Sequence, residues 1–216
     1  MDLFPLWLSL QVSGVATGLT LLVGVPVAWC LARRAFPGRG FVEGLVVLPL
    51  VLPPTVLGYY LLLVVGRPGP LGRLLGRLGI DVAFTWRAAV LAACVGSVAL
   101  LIKSAQAGFE GVDRRLEQAA RTLGRSEWSI FWTVTLPLAW RSVLAGAVLA
   151  FCRAMGEFGI TLMVAGSIPG KTQTLALAIY DHAQANQMVE ANALALIAVG
   201  VVAVMLFGVN RLGPPR

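Results

Sequence analysis

The chain has 216 residues, of which 58% are hydrophobic and only 12% charged, against roughly 25% charged residues in a soluble domain. The net charge is +7, yet a nucleic-acid binder presents its basic residues on a water-exposed face, and too little polar sequence is left here to build one. These proportions exclude an ordinary soluble domain and a nucleic-acid partner, and point to an all-α integral membrane protein with the lipid bilayer as its solvent.

Crossing a bilayer takes about 20 apolar residues, and five stretches reach that length: 6–32, 41–65, 82–102, 138–165 and 191–209. The first stops at Arg33 and Arg34. Asp2 precedes it and no basic residue does, so it lacks the positive region of a cleaved signal peptide. The second contains Pro49, Pro53 and Pro54, each of which removes a backbone donor, so the helix should kink or break. Broken helix at membrane depth is either buried in protein or lines a cavity. Pro53, Pro54 and Thr55 are therefore candidates for a path lining, with a packing kink as the alternative. The third stretch has Arg87 near one end, where its side chain can snorkel.

The polar stretch 103–137 reads as two short helices. Residues 113–123 put Leu116, Ala119, Ala120 and Leu123 on one face. Gly124 is suited to end that helix in the left-handed conformation. Ser126 caps a second helix beginning near Glu127, which should stop ahead of Leu136-Pro137. A helix-Gly-helix device between two spans is a docking handle; an amphipathic hairpin lying on the membrane is the alternative. In the fourth span Arg153 and Glu157 stand four residues apart and share a helix face. Charges at this depth face the protein interior or water, so the pair either lines an anion path or joins helices structurally. The segment 175–180 is too short to cross and reads as a surface or re-entrant piece.

Five crossings put the termini on opposite sides. One side holds Arg33, Arg34, Arg39, Lys103, Arg114, Arg115, Arg121, Arg125, Arg141, Arg211 and Arg216; the other holds Arg67, Arg73, Arg77, Arg87 and Lys171. The richer side is cytoplasmic by the positive-inside rule, so the N-terminus is outside and the C-terminus inside. Residues 165–172 fit a loose phosphate-loop pattern, but they follow a span rather than a strand and Pro169 removes a donor, so they read as an outer turn. Cys30, Cys94 and Cys152 lie in spans without metal spacing and read as small apolar packers. His182, the single histidine, has no partner in a catalytic pattern. The residues suggest neither a catalytic centre nor a metal site, and function must then be passage through the membrane. A carrier working alone would show inverted repeats, which five spans cannot supply evenly, and would not need a docking helix.

Gln118-Ala119-Ala120, then Gly124, Val134 and Leu136-Pro137, resembles the signature loop of ABC importer permeases: Glu-Ala-Ala, three residues, Gly, nine residues, Ile, one residue, Leu-Pro. The spacing matches throughout; Gln118 replaces Glu, with Glu117 just before it, and Val134 replaces Ile. The run from Leu48 to Tyr60, with Pro53-Pro54-Thr55, resembles the second span of molybdate permeases. Gly156-Glu157-Phe158-Gly159 and residues 165–174 resemble their fourth span and the loop after it, with Ser167 where Asn is expected. Sulfate and thiosulfate permeases share Gly-Glu-Phe-Gly and are the alternative within the family.

The resemblance implies a single permease domain over residues 1–216, in a bacterial or archaeal cytoplasmic membrane. It implies a non-catalytic subunit that imports molybdate or tungstate by alternating access and holds no cofactor itself. ATP and Mg would be bound by two copies of a cytoplasmic ATPase subunit. A second copy of the chain and an extracytoplasmic oxyanion-binding protein complete the expected assembly. Glu117, Gln118, Ala119, Ala120, Arg121, Leu123, Gly124, Leu136 and Pro137 would form the ATPase-coupling loop.

Overall fold

A computed structural model describes residues 2–211, with side chains as far as Gly208. Arg216 and the Arg211 side chain, both used in the orientation argument, lie outside the described residues. All regular structure among the described residues is helical.

Helix α1 (Phe4–Arg33) opens with Pro5 in its first turn, where a missing N–H costs nothing. Its buried face repeats at four-residue steps through Leu8, Val12, Ala16, Thr20, Gly24, Ala28 and Ala32. That stripe of small residues packs on α5 (Trp86–Glu110), whose inner face is also small: Ala88, Ala89, Ala92, Ala93, Gly96 and Ser97. In lipid, helix association depends on close backbone approach, which small side chains permit. Helix α8 (Leu136–Met155) crosses α5 in the same way. A Cβ on Gly108 would lie 2.3 Å from the Ser142 Cβ, and one on Gly146 would lie 2.9 Å from the Ser104 Cβ. Ser104 Oγ donates to the Ser142 carbonyl at 2.9 Å. Of the apolar window of α5, 61% is buried, against 11% for α11 (Met188–Arg211), so α5 is the central post and α11 the periphery.

Two of the five expected spans are broken. The second divides into α2 (Arg39–Val51) and α3 (Pro54–Val65), bent by 110°. Leu52 and Pro53 each precede a proline and are held extended, with ψ of 145° and 132°. The pair still traverses the bundle. Arg39 Nη2 lies 3.2 Å from Glu110 Oε1 at the end of α5, whereas Val65 and Gly66 line a cavity with Thr85 and Lys171 at the other end. The fourth span, expected as one helix over 138–165, stops at Met155 and resumes as α9 (Gly159–Val164). Glu157 lies in the break, and its Oε1 accepts the Ile160 N–H in the first turn of α9 at 3.0 Å.

Between α5 and α8 lie α6 (Arg114–Thr122) and α7 (Glu127–Ile130). The expected stop ahead of Pro137 does not occur. Instead the chain passes through a π-helical turn, Phe131–Thr135, straight into α8. The Leu136 N–H reaches back five residues to the Phe131 carbonyl, and Pro137 then falls in the first turn of α8, where proline is tolerated. A short α4 (Pro70–Gly76) occupies the loop after α3. The expected surface piece 175–180 is α10 (Leu175–Gln184), docked on α1 through the Leu175 N–H, which donates to Ser9 Oγ at 2.7 Å.

Candidate functional site

The stretch 113–130 folds as an elbow. Asp113 Oδ1 accepts the Arg115 N–H at 2.9 Å and starts α6. Gly124, at φ +77°, ends it, with its N–H on the Arg121 carbonyl and the Arg125 N–H on the Ala120 carbonyl. Ser126 Oγ accepts the Ser129 N–H at 3.3 Å and starts α7. Arg121 braces the bend through Glu127, Nη2 to Oε2 at 3.0 Å, and that carboxylate pushes the Arg121 pKa further up, so the guanidinium stays charged.

The outward surface of the elbow is largely open. Gln118, Ala119, Arg121, Gly124 and Pro137 are exposed, Leu123 is 82% exposed, and Ala120 and Leu136 are half-buried. Leu136 packs into the cluster around Phe109 and Phe131. Glu117 points the other way. It is 3% exposed, 3.0 Å from Arg33, and accepts a hydrogen bond from Thr135 Oγ1 at 2.6 Å. The sequence groups Glu117 with the docking surface and pairs it with neither Arg33 nor Thr135. No local pattern carries a pairing that joins α1 to α6.

The second group of candidates meets where the two broken spans touch. Arg153 Nη1 lies 2.7 Å from Glu157 Oε2, and Glu157 is 2% exposed while Arg153 remains 32% exposed. The contact is one of charge, since Oε2 has no aligned hydrogen-bond partner. Gly96 on α5 leaves room for this carboxylate; a Cβ there would sit 2.5 Å from Oε2. Two residues beyond Glu157, a Cβ on Gly159 would lie 2.7 Å from the Pro54 Cβ, and one on Gly58 would lie 2.7 Å from the Met163 Cβ. Pro53, Pro54 and Thr55 are exposed on the single chain. Gly96 is missing from the sequence reading, and Gly159 enters it only within a family-like motif, although a glycine inside a span is itself a signal of close approach.

The loop after α9 is closed on itself. The Lys171, Thr172 and Gln173 N–H groups all turn to the Ile168 carbonyl, and Thr172 Oγ1 donates to the Gly166 carbonyl. Those donors are not available to a phosphate, which agrees with a turn rather than a phosphate loop. The three cysteines are free and half-buried, and His182 Nδ1 contacts Gln187 Oε1 at 2.6 Å.

Residues 21–212 match the model of the family described as binding-protein-dependent transport system inner membrane component. The molybdenum transport system permease protein ModB of Escherichia coli K12 is 48% identical over 178 residues, covering 82% of this chain and 78% of that protein. ModB of Azotobacter vinelandii is 41% identical, covering 90% and 86%. The sulfate transport system permease protein CysW of Synechococcus elongatus is 36% identical, covering 92% and 70%. Among solved structures, an inward-facing MetNI methionine ABC transporter chain matches with a TM-score of 0.74 at 18% identity, over 96% of this chain and 92% of that one, which establishes the fold. The chain is a multi-pass membrane protein and belongs to the family of binding-protein-dependent transport system inner membrane components.

Proposed function

We propose that this chain is the translocation subunit of an ATP-driven importer that carries molybdate into the cytoplasm. The observation that carries the reading is the elbow at Gly124, at one end of a bundle of membrane helices: an exposed surface on which Ala119, Leu123 and Gly124 stand among Arg114, Arg115, Gln118 and Arg125, braced by Arg121–Glu127. A cytoplasmic ATPase subunit would dock there, one per copy of the chain, and a second copy would complete the pore on a two-fold axis. ATP and Mg would be held by the ATPase. An extracytoplasmic binding protein would deliver the anion at the opposite end, near Lys171 and Thr85. On this reading the N-terminus is outside and the C-terminus inside, in a bacterial or archaeal inner membrane.

The path reading rests on the two helix breaks. Pro53, Pro54 and Thr55 are exposed beside the α9 start, and discontinuous helices at membrane depth are where transporters build their passages. Arg153 supplies a cation near it, and Glu157 keeps that cation oriented while no anion is present. Molybdate is preferred over sulfate because the molybdenum relatives are more similar to this chain than the sulfate relative is. The test is uptake into vesicles carrying the full transporter, with radiolabelled molybdate and sulfate compared. ATP-dependent accumulation of molybdate, suppressed by excess molybdate and not by sulfate, is expected; sulfate-selective uptake would replace the substrate, and uptake without ATP would replace the mechanism by that of a stand-alone carrier.

A further inference from the structure

Glu117 is the one buried residue of α6. Its carboxylate meets Arg33, the last residue of α1, at 3.0 Å, and Thr135, the last residue of the π turn, at 2.6 Å. Arg33 Nη2 also donates to the Val112 carbonyl at 3.1 Å, just ahead of α6, and its Nε is buried without a partner. Three elements thus converge on one carboxylate: the end of α1, the first turns of α6 and the entry to α8.

Stability alone is a poor reason for this network. A buried ion pair loses hydration on both partners, and apolar replacement of such a pair is often neutral or stabilising. What the pair does supply is a directional link. Helix α6 cannot shift against α1 or Thr135 without uncovering a charge in a dry place. The π turn between α7 and α8 has weaker local regularity than an α-helix, and such turns recur at functional joints. Helix α8 runs from that turn to the break at Gly156, where Arg153 and Glu157 stand.

We propose that Arg33, Glu117 and Thr135 are positioning residues that tie the end of α1, α6 and the π turn into one unit with α8, so that displacement of α6 by the ATPase reaches the break in the fourth span. This rests on the importer reading above. The network is the transmission element; the exposed face of α6 is the dock.

The test uses the complete transporter in proteoliposomes, with radiolabelled molybdate uptake and phosphate release measured together. The double variant Arg33→Met/Glu117→Gln leaves no unpaired buried charge. It should insert and copurify with the ATPase as the wild type does, while molybdate moved per ATP falls about fivefold or more, the span of typical coupling energies. Thr135→Val should lower the same ratio by less. A wild-type ratio in the double variant would overturn the proposal, because a purely structural pair is satisfied by neutral replacement. Loss of ATPase copurification would overturn it too, since the pair would then shape the dock. An unchanged ratio in Thr135→Val would remove Thr135 from the network. Failure of the importer reading looks different: the wild-type complex itself would move no anion with ATP.

Discussion

Gly159 lies against Pro54 so closely that a Cβ on it would come within 2.7 Å of the proline Cβ and 3.6 Å of the Thr55 nitrogen. The break in the second span and the break in the fourth are therefore one contact. Neither partner is a flexible side chain that could swing away. Gly159→Ala should push α9 off α3 and destabilise the protein by about 1–3 kcal/mol, the usual range for overpacking. Thermal unfolding in detergent measures this, and uptake should fall with it; unchanged stability and uptake would mean that the breaks are not packed together in the working protein.

Much of this architecture was legible in the chain and some was not, for physical reasons. Apolar runs mark the four long apolar helices and the bent α2–α3 pair because lipid demands them over a fixed length. Gly124 and Ser126 are local signals, and the turn and cap they predict are both present. The kink at Pro53-Pro54 was equally plain. The break at Gly156 was not, because no proline marks it and the bond from the Ile160 N–H to Glu157 that accompanies it is a side-chain contact no apolar pattern reports. Pro137 misled in the opposite direction: a π turn accommodates it and the helix continues. The Arg33–Glu117 pair joins residues far apart in sequence, and no periodicity reports that.

The pair in the fourth span separates structure from path. Arg153→Ala leaves Glu157 buried and uncompensated. Insertion scales put a lone charge at this depth at roughly 2.5–3.5 kcal/mol, and loss of assembled protein should follow. Arg153→Ala/Glu157→Ala should restore assembly. Membrane-fraction blots and uptake distinguish the outcomes: an assembled but inactive double variant supports the anion path, whereas an assembled and active one makes the pair structural. Normal assembly and uptake in Arg153→Ala alone would contradict both.

Topology is open to cysteine labelling once Cys30, Cys94 and Cys152 are replaced. Gly69 would be a poor outer reporter, since a Cβ there would sit 2.2 Å from the Leu63 carbonyl oxygen. Gly76 has open space around it and Leu123 is exposed. A membrane-impermeant maleimide should label Gly76→Cys in intact cells and Leu123→Cys only after permeabilisation. Labelling of both from one side would contradict the crossing of the bundle by α5.

On the proposed reading, the elbow at Gly124 couples this chain to an ATPase. Within the chain nothing lies within 4 Å of a Cβ placed on Gly124, so Gly124→Val meets no internal clash. It strains only the left-handed turn, by about 1 kcal/mol or somewhat more, and adds volume on the surface where the partner would sit. The decisive measurement is copurification of the ATPase with wild type and Gly124→Val, beside a membrane-fraction blot and molybdate uptake. Gly124→Val should insert normally, lose the ATPase and cease to take up molybdate. Unchanged ATPase binding together with unchanged uptake would contradict it.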